Sequence, residues 1–312
     1  MRGILGEKSS RNLISTEGPR FARMYAYVQF LAPSSQGGYM YWVRSILKGT
    51  SAYSLAVSYL YKTAVHYYKK KIENDADLKA IIDELNQMKT LETHYGHKEY
   101  KDERILLDLS IQLAEIIRTL KGRLSAIDPN YRDASFLDAG DPDRIILRSL
   151  GCKKGISLNI LDSCVKQVKD VGGLPVKGDI QMMPFRDKSF DYVLCFETLE
   201  HLENSILGLK ELSRVSAKKV FISIPWVEKT QIHENNYMPG EPAVENHIFE
   251  FNREDFAKIA THADLKITYY KEIKMFPKIL NPIDNFFLKK FYYPSYFPKY
   301  QFYELTKSGA NA

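Results

Sequence analysis

Cysteine is scarce in this chain: Cys152, Cys164 and Cys195 are the only three among 312 residues. No two stand at metal-ligand spacing, and the odd count points to reduced, buried thiols rather than a disulfide framework. Long apolar runs are lacking as well. The longest, Met24 to Pro33, is about half of what spans a bilayer, and Met1 to Ser10 has no apolar stretch of the secretory kind. A cytosolic, cytoplasmic location is the expectation, with a peripheral membrane position left open. Charge of one sign is modest. A net +6 is too mild to imply nucleic-acid binding, and none is expected. Internal repeats and low-complexity tracts are missing too, which excludes solenoids and disordered arrays. Aromatics are plentiful, with 21 Tyr and 16 Phe, and the length suffices for one large or two modest domains with a buried core.

The chain divides by periodicity near residue 130. Residues 1–20 are polar, and Phe21 to Tyr41 is aromatic-rich and broken by the turn residues Pro33 to Gly38. From Ser51 the pattern is helical, with Leu55, Tyr59, Ala64 and Tyr67 near helical spacing before Lys69-Lys70-Lys71. A second helix is predicted over Asp75 to Glu92, capped by Asp75 or Asp77, with Leu78, Ile81, Ile82, Leu85 and Met88 as its apolar stripe. A third spans Asp102 to Leu124. Its stripe of Leu106, Leu109, Leu113, Ile116, Ile117, Leu120 and Leu124 is widened by Ile105, Leu107 and Ile111, so more than one side should be covered. Residues 1–130 thus read as a helical region, serving as a cap, a dimer contact or a membrane contact.

Beyond Pro129 short apolar strands alternate with helices. Strands are expected at Ala134–Ala139, Gly155–Ile160, Leu174–Lys177, Tyr192–Phe196, Val220–Ile224, Leu265–Tyr270 and Gln301–Leu305. Helices are expected at Asp143–Leu150, Asp162–Val171, Ser205–Ser216 and Arg253–His262. This alternation predicts an α/β domain over 131–312, a doubly wound, mostly parallel sheet with helices on both faces. Ligands in such sheets sit at the carboxyl ends of the strands, where the strand order reverses.

The residues at those ends are informative. They run Phe136-Leu137-Asp138-Ala139-Gly140, then Gly178-Asp179-Ile180 with a Pro-Phe turn, then Phe190-Asp191, Glu200-His201-Leu202, and Val220 to Pro225. From Phe136 to Lys307 this order of parts resembles the class I S-adenosylmethionine (SAM) methyltransferases, specifically the type 11 small-molecule group. The resemblance implies a Rossmann-like sheet whose last strand is antiparallel, and SAM as cofactor. Carried over, the cofactor contacts fall on Asp138, Gly140 and Asp141 at the first strand, Asn159 and Ile160 at the second, Asp179 and Ile180 at the third, and Phe196 at the fourth. Asp179 would accept from the adenine amino group, which suits a carboxylate because it only accepts hydrogen bonds.

Two positions depart from the family pattern. Pro142 and Arg144 replace the second and third glycines of the first loop, and proline removes an amide donor while fixing φ near −65°. Arg144 either pairs with the cofactor's carboxylate or is a solvated helix residue. At the second strand Asn159 stands where relatives carry a ribose-binding carboxylate; Asp162 is the alternative, as ribose ligand or helix cap. Asp191 is read as structural.

Methyl transfer needs orientation first, and a base only for a protonated acceptor. His201 is the leading base candidate, since an imidazole titrates near neutrality. His247, in Asn246-His247-Ile248-Phe249-Glu250-Phe251, and His233, in the long loop Trp226 to Val244, follow. No metal is expected; a set of His233, Glu234 and His247 matches no strong motif, and His94 with His97 reads as a loop pair. The aromatic-basic insertion over 275–300 suits a hairpin on the N-terminal aromatics Tyr25, Tyr27 and Phe30, or a membrane or lipid contact. The reading is therefore an enzyme transferring methyl to oxygen of a small or lipid-linked acceptor, such as a glycan intermediate. The alternative is a catalytically silent methyltransferase-like scaffold.

Overall fold

The computed structural model describes residues 62, 65–87, 103–232, 247–274 and 298–309, with the side chains at 87, 103–106, 108, 109, 274, 298 and 299 excepted. The early aromatics, the pair His94 and His97, His233 with the loop after it, and the insertion as far as 297 lie outside the described residues.

Helix α1 (Ala76–Gln87) begins where the Asp75 carboxylate accepts the Leu78 N–H at 3.0 Å, so Asp75 rather than Asp77 is the cap. Leu78, Ile81, Ile82 and Leu85 are buried as the stripe predicts. Helix α2 (Glu103–Ile127) is buried almost all round in its middle, because Gln112, Glu115 and Thr119 are covered along with Ile111, Leu113, Ile116 and Ile117. The covered Glu115 is paired with Lys71 at 3.2 Å and Arg118 at 2.6 Å.

The α/β part follows in the predicted order: β1 (Ser135–Ala139), α3 (Ile145–Leu150), β2 (Lys154–Asn159), α4 (Asp162–Asp170), β3 (Pro175–Lys177), β4 (Phe190–Phe196), α5 (Ser205–Val215) and β5 (Ser216–Pro225). A two-stranded ribbon of β6 (Gln231–Ile232) and β7 (Phe249–Glu250) precedes α6 (Arg253–His262), β8 (Leu265–Lys274) and β9 (Pro298–Lys307). The main sheet has seven strands in the order β3-β2-β1-β4-β5-β9-β8. All neighbours pair parallel except β9, which slots antiparallel between β5 and β8. The order reverses between β1 and β4, so their carboxyl ends flank the expected crevice.

Alternation along each strand splits the core in two. Phe136, Tyr192, Leu194, Phe221 and Phe302 share one buried cluster with α1, α2 and α3, while Leu137, Val193, Cys195, Ile222 and Tyr303 share the other with α5 and α6. The N-terminal helices therefore cover one face of the sheet. Across the other face Phe256 stacks on Tyr303 with ring centroids 4.1 Å apart. No described helix is long and apolar enough to cross a membrane.

Candidate active site

At the end of β1 the chain turns through Gly140 at φ 98°, a conformation glycine adopts without steric cost. A Cβ there would run into the side chain of Thr198, which itself donates to the Phe196 carbonyl at 2.8 Å. Gly140 is thus where the loops after β1 and β4 come into contact. Just before it, Asp138 is buried and its Oδ2 has no hydrogen-bond partner. Burial, and then the nearby Asp141 and Asp143 carboxylates, push its carboxyl well above the ordinary range.

The departures from the glycine pattern have a structural counterpart. Asp141 is buried; its Oδ1 accepts the N–H groups of Asp143 (3.0 Å) and Arg144 (2.7 Å), and its Oδ2 accepts from Ser157 at 2.5 Å. Asp143 accepts the Ile145 N–H at 3.0 Å, and the Leu158 carbonyl takes the Gly140 N–H at 2.8 Å. The loop therefore satisfies its amides with its own carboxylates, a role Pro142 does not disturb because it has no N–H to satisfy. The positive φ falls on Arg144, at 66°, the place of the third glycine. Its side chain donates to the Gly172 carbonyl at 2.9 Å, on the turn after α4, so this arginine is neither solvated throughout nor left without an anchor.

At the end of β2, Asn159 holds the two loops together. Its Nδ2 donates to the Gly140 and Asp141 carbonyls at 3.0 and 3.1 Å, and its Oδ1 accepts the Leu161 N–H at 2.9 Å. An oxygen retains capacity for one more donor. Asp162 is N-terminal in α4 but caps nothing; it pairs with Lys177 at 2.8 Å. Beside Asn159, Ile160 is 45% exposed, an apolar surface open to a flat ring.

Beyond β3, Asp179 caps a single turn of 3-10 helix (Ile180–Met182) by accepting the Gln181 N–H at 2.8 Å. Ile180 is buried below it, and Gln181 accepts from the Asn204 N–H at 2.8 Å, which ties this turn to the start of α5. At the end of β4, Phe196 stacks on Phe302, and Glu197, at φ 47°, accepts from Ser223 at 2.7 Å. The one-turn helix Leu199–His201 then carries Glu200, which is 1% exposed with neither carboxylate oxygen hydrogen-bonded. Burial, and then the Glu197 and Glu250 carboxylates, push the Glu200 carboxyl well above its usual value.

His201 meets His247 edge to face at 4.9 Å between centroids, and His247 Nδ1 lies 2.5 Å from Glu250. The Ile248 N–H donates to the Glu200 carbonyl at 2.7 Å, which fastens this segment to the β4 turn. Of the residues named from sequence, the fold brings His201 and His247 together, and it places Gly140, Asp141 and Asn159 in one hydrogen-bonded loop pair with Asp138 just before it. Glu200 and Glu250 were not singled out for any role. The only available signal was the Glu-His dipeptide at the start of a turn, and nothing local reveals that its carboxylate is buried without a partner.

Part of this lining fits an adenosyl sulfonium ligand. A carboxyl oxygen without a partner at the end of β1, an exposed apolar side chain at β2 and an acceptor-only carboxylate at β3 suit an ammonium, an adenine face and an adenine amino group.

Residues 145–224 match the family model described as a methyltransferase domain, of the type 11 group. Among curated proteins no match to this chain is found. Similar solved structures include magnesium protoporphyrin IX methyltransferase of Synechocystis PCC 6803 with bound SAM, at 13% identity and a TM-score of 0.48, covering 74% of this chain and 97% of that one. Another is the 1,6-didemethyltoxoflavin-N1-methyltransferase of Burkholderia thailandensis with bound 1,6-didemethyltoxoflavin and S-adenosylhomocysteine, at 14% identity and 0.45, covering 62% and 78%. The family match is thus seated on α3 to β5 of the seven-stranded sheet, and that part of the chain is similar to a methyltransferase domain.

Proposed function

We propose that the protein transfers methyl from SAM to an oxygen of a small or lipid-linked acceptor, with a glycan intermediate as one such acceptor. The observation that carries this reading is the convergence of chemistry at the reversal of strand order. Asp138 and the Asp179 turn stand at the ends of β1 and β3, and His201 with His247 stands at the end of β4.

SAM, when bound, supplies a methyl group already activated on a sulfonium. The chain's own residues have three tasks. Asp179 accepts from the adenine amino group, and Ile160 covers the ring. Asp138, buried and with an oxygen to spare, receives an ammonium donor. His247, its Nδ1 engaged by Glu250, and His201 receive the proton of an acceptor hydroxyl as the oxygen attacks in line. Asn159 keeps the first two loops in register for all of this.

One observation favours a second reading, a catalytically silent domain. Of the amides that relatives turn toward the cofactor's carboxylate, those of Asp143 and Arg144 are already taken by Asp141 within the loop, and that of Gly140 by the Leu158 carbonyl of β2. Calorimetric titration with SAM and with its demethylated product decides between the two. Saturable binding of both is expected, and Asp179→Ala should weaken it at least about tenfold, as for loss of a charge-assisted hydrogen bond of ~1.4 kcal/mol or more. No heat at millimolar ligand overturns the enzymatic reading, and unchanged affinity in Asp179→Ala removes the adenine assignment.

A further inference from the structure

Glu200, His201 and His247 present one ligand atom each, all within 4.8 Å of one another, the only such set among the described residues beyond acidic pairs and lone histidines. From this geometry we infer that they bind a divalent cation of the zinc, manganese or cobalt class. Three observations support the site independently of the methyl-transfer reading.

The first is Glu200 itself. A carboxylate 1% exposed with both oxygens lacking a hydrogen bond is costly to bury, and a cation on those oxygens removes the cost. The second is the state of His247. Its Nδ1 is 2.5 Å from the Glu250 carboxylate, and in the tautomer with the proton on that nitrogen Nε2 offers its lone pair to a metal. Carboxylate–histidine–metal chains of this kind fix both tautomer and ring direction. The third is the means by which the parts are held. Glu200 and His201 share a rigid single turn after β4, and the Ile248 N–H on the Glu200 carbonyl brings His247 to them. Two imidazoles and one carboxylate are the donor set that suits zinc, manganese, cobalt or ferrous ions rather than calcium or magnesium.

Three protein ligands leave coordination positions open for oxygens from outside. Here the inference rests on the proposed function: at the end of β4 those positions would hold the acceptor, which would therefore present an oxygen, as an alcohol, a diol or a carboxylate. With the ion bound, its charge would lower the pKa of that oxygen and the proton would leave to solvent, a task that falls to the two imidazoles when the ion is absent.

The test uses the full chain, stripped with a chelator and titrated with cobalt(II) in the absence of SAM. Expected is one saturable site per chain with visible absorption bands, displaced by zinc, and a thermal midpoint raised by either ion. Glu200→Gln and His247→Ala should each weaken cobalt binding at least tenfold. Should either variant fail to fold, manganese(II) on the unaltered protein serves instead, since it should broaden the His201 and His247 imidazole resonances ahead of those of His262. Absence of saturable binding below millimolar metal, bands unchanged in both folded variants, or broadening no greater at His201 and His247 than at His262 would overturn the site. A chain that binds cobalt but no SAM would retain the cation site and lose the methyl-transfer reading; one that binds SAM but no metal would do the reverse.

Discussion

Gly140 is the position where a single added carbon should be felt most. Its φ of 98° excludes ordinary side chains, and the Thr198 side chain occupies the space a Cβ would need. Gly140→Ala is expected to lower stability on the order of 1–3 kcal/mol, read as a shift in the urea midpoint at unchanged slope. Adding Thr198→Ala should recover part of that loss and no more, because the Cβ of residue 198 stays in place and the φ is unaltered. Full recovery would show that the backbone carries no strain. The neighbouring Arg144 shows the same demand met differently. A non-glycine residue holds φ 66° because its guanidinium is anchored on Gly172 and its N–H on Asp141. Neither contact is visible in the identity of residue 144, which is why its sequence reading remained divided between ligand and bystander.

Among the elements, α6 offers the clearest local test. Its start is capped by Asn252, whose side chain accepts the Asp255 N–H at 2.8 Å, as its place before Arg253 predicts. Its end is less well served. Asp264, just past the cap, holds φ 57°, a position where glycine is usual, and its carbonyl accepts the Ser308 N–H at 2.8 Å. Asp264→Gly should keep that backbone bond, relieve the left-handed strain and raise stability by ~0.5 kcal/mol, seen as a higher thermal midpoint. A fall would mean that the Asp264 side chain stabilises the turn in another way. The strands show how far local pattern reaches. β1, β4 and the apolar part of β5 lie where alternation and apolar runs predict them, because both of their faces are buried. β5 starts at Ser216 rather than Val220, β8 runs on to Lys274, and β9 starts at Pro298. Those extensions carry Lys218, Lys219, Lys271, Glu272 and Lys274, polar residues that pairing with a neighbouring strand recruits and that no apolar pattern marks.

At the scale of the molecule, one buried carboxylate joins the N-terminal helices to the sheet. Glu304 on β9 accepts from Arg123 of α2 at 2.8 Å, pairs with Lys219 of β5 at 3.1 Å and accepts from Thr268 of β8 at 2.7 Å. The Arg123 guanidinium also lies 4.3 Å from the centroid of the Tyr269 ring. Burial pushes the Glu304 carboxyl up, but these hydrogen bonds and charges more than offset it, so its pKa falls below the ordinary 4.5. A group whose folded pKa is depressed stabilises the fold above its unfolded value, and that contribution is lost as pH falls through the folded value. Glu304→Gln leaves Arg123 and Lys219 half-paired and should cost about 3 kcal/mol at neutral pH. The gap between it and the unaltered protein should narrow as pH drops below about 4.5. Asp138 and Asp141 titrate in the opposite sense, since their raised pKa values favour the fold at low pH, so the difference between the two proteins, not the acid limb of either alone, is the measurement. A gap independent of pH would mean that the charge of Glu304 is not what stabilises this junction.

Sequence alone determined the alternating α/β order, the helical stripes, and the Gly178-Asp179 and Glu200-His201 signals, because each depends on neighbours two to four positions away. Tertiary structure alone decided that β9 enters between β5 and β8, that Asp141 fills the amides of its own loop, and that His247 closes on Glu200. Those contacts join segments far apart in the chain, and their energies depend on burial and on partners that only the closed sheet brings within reach.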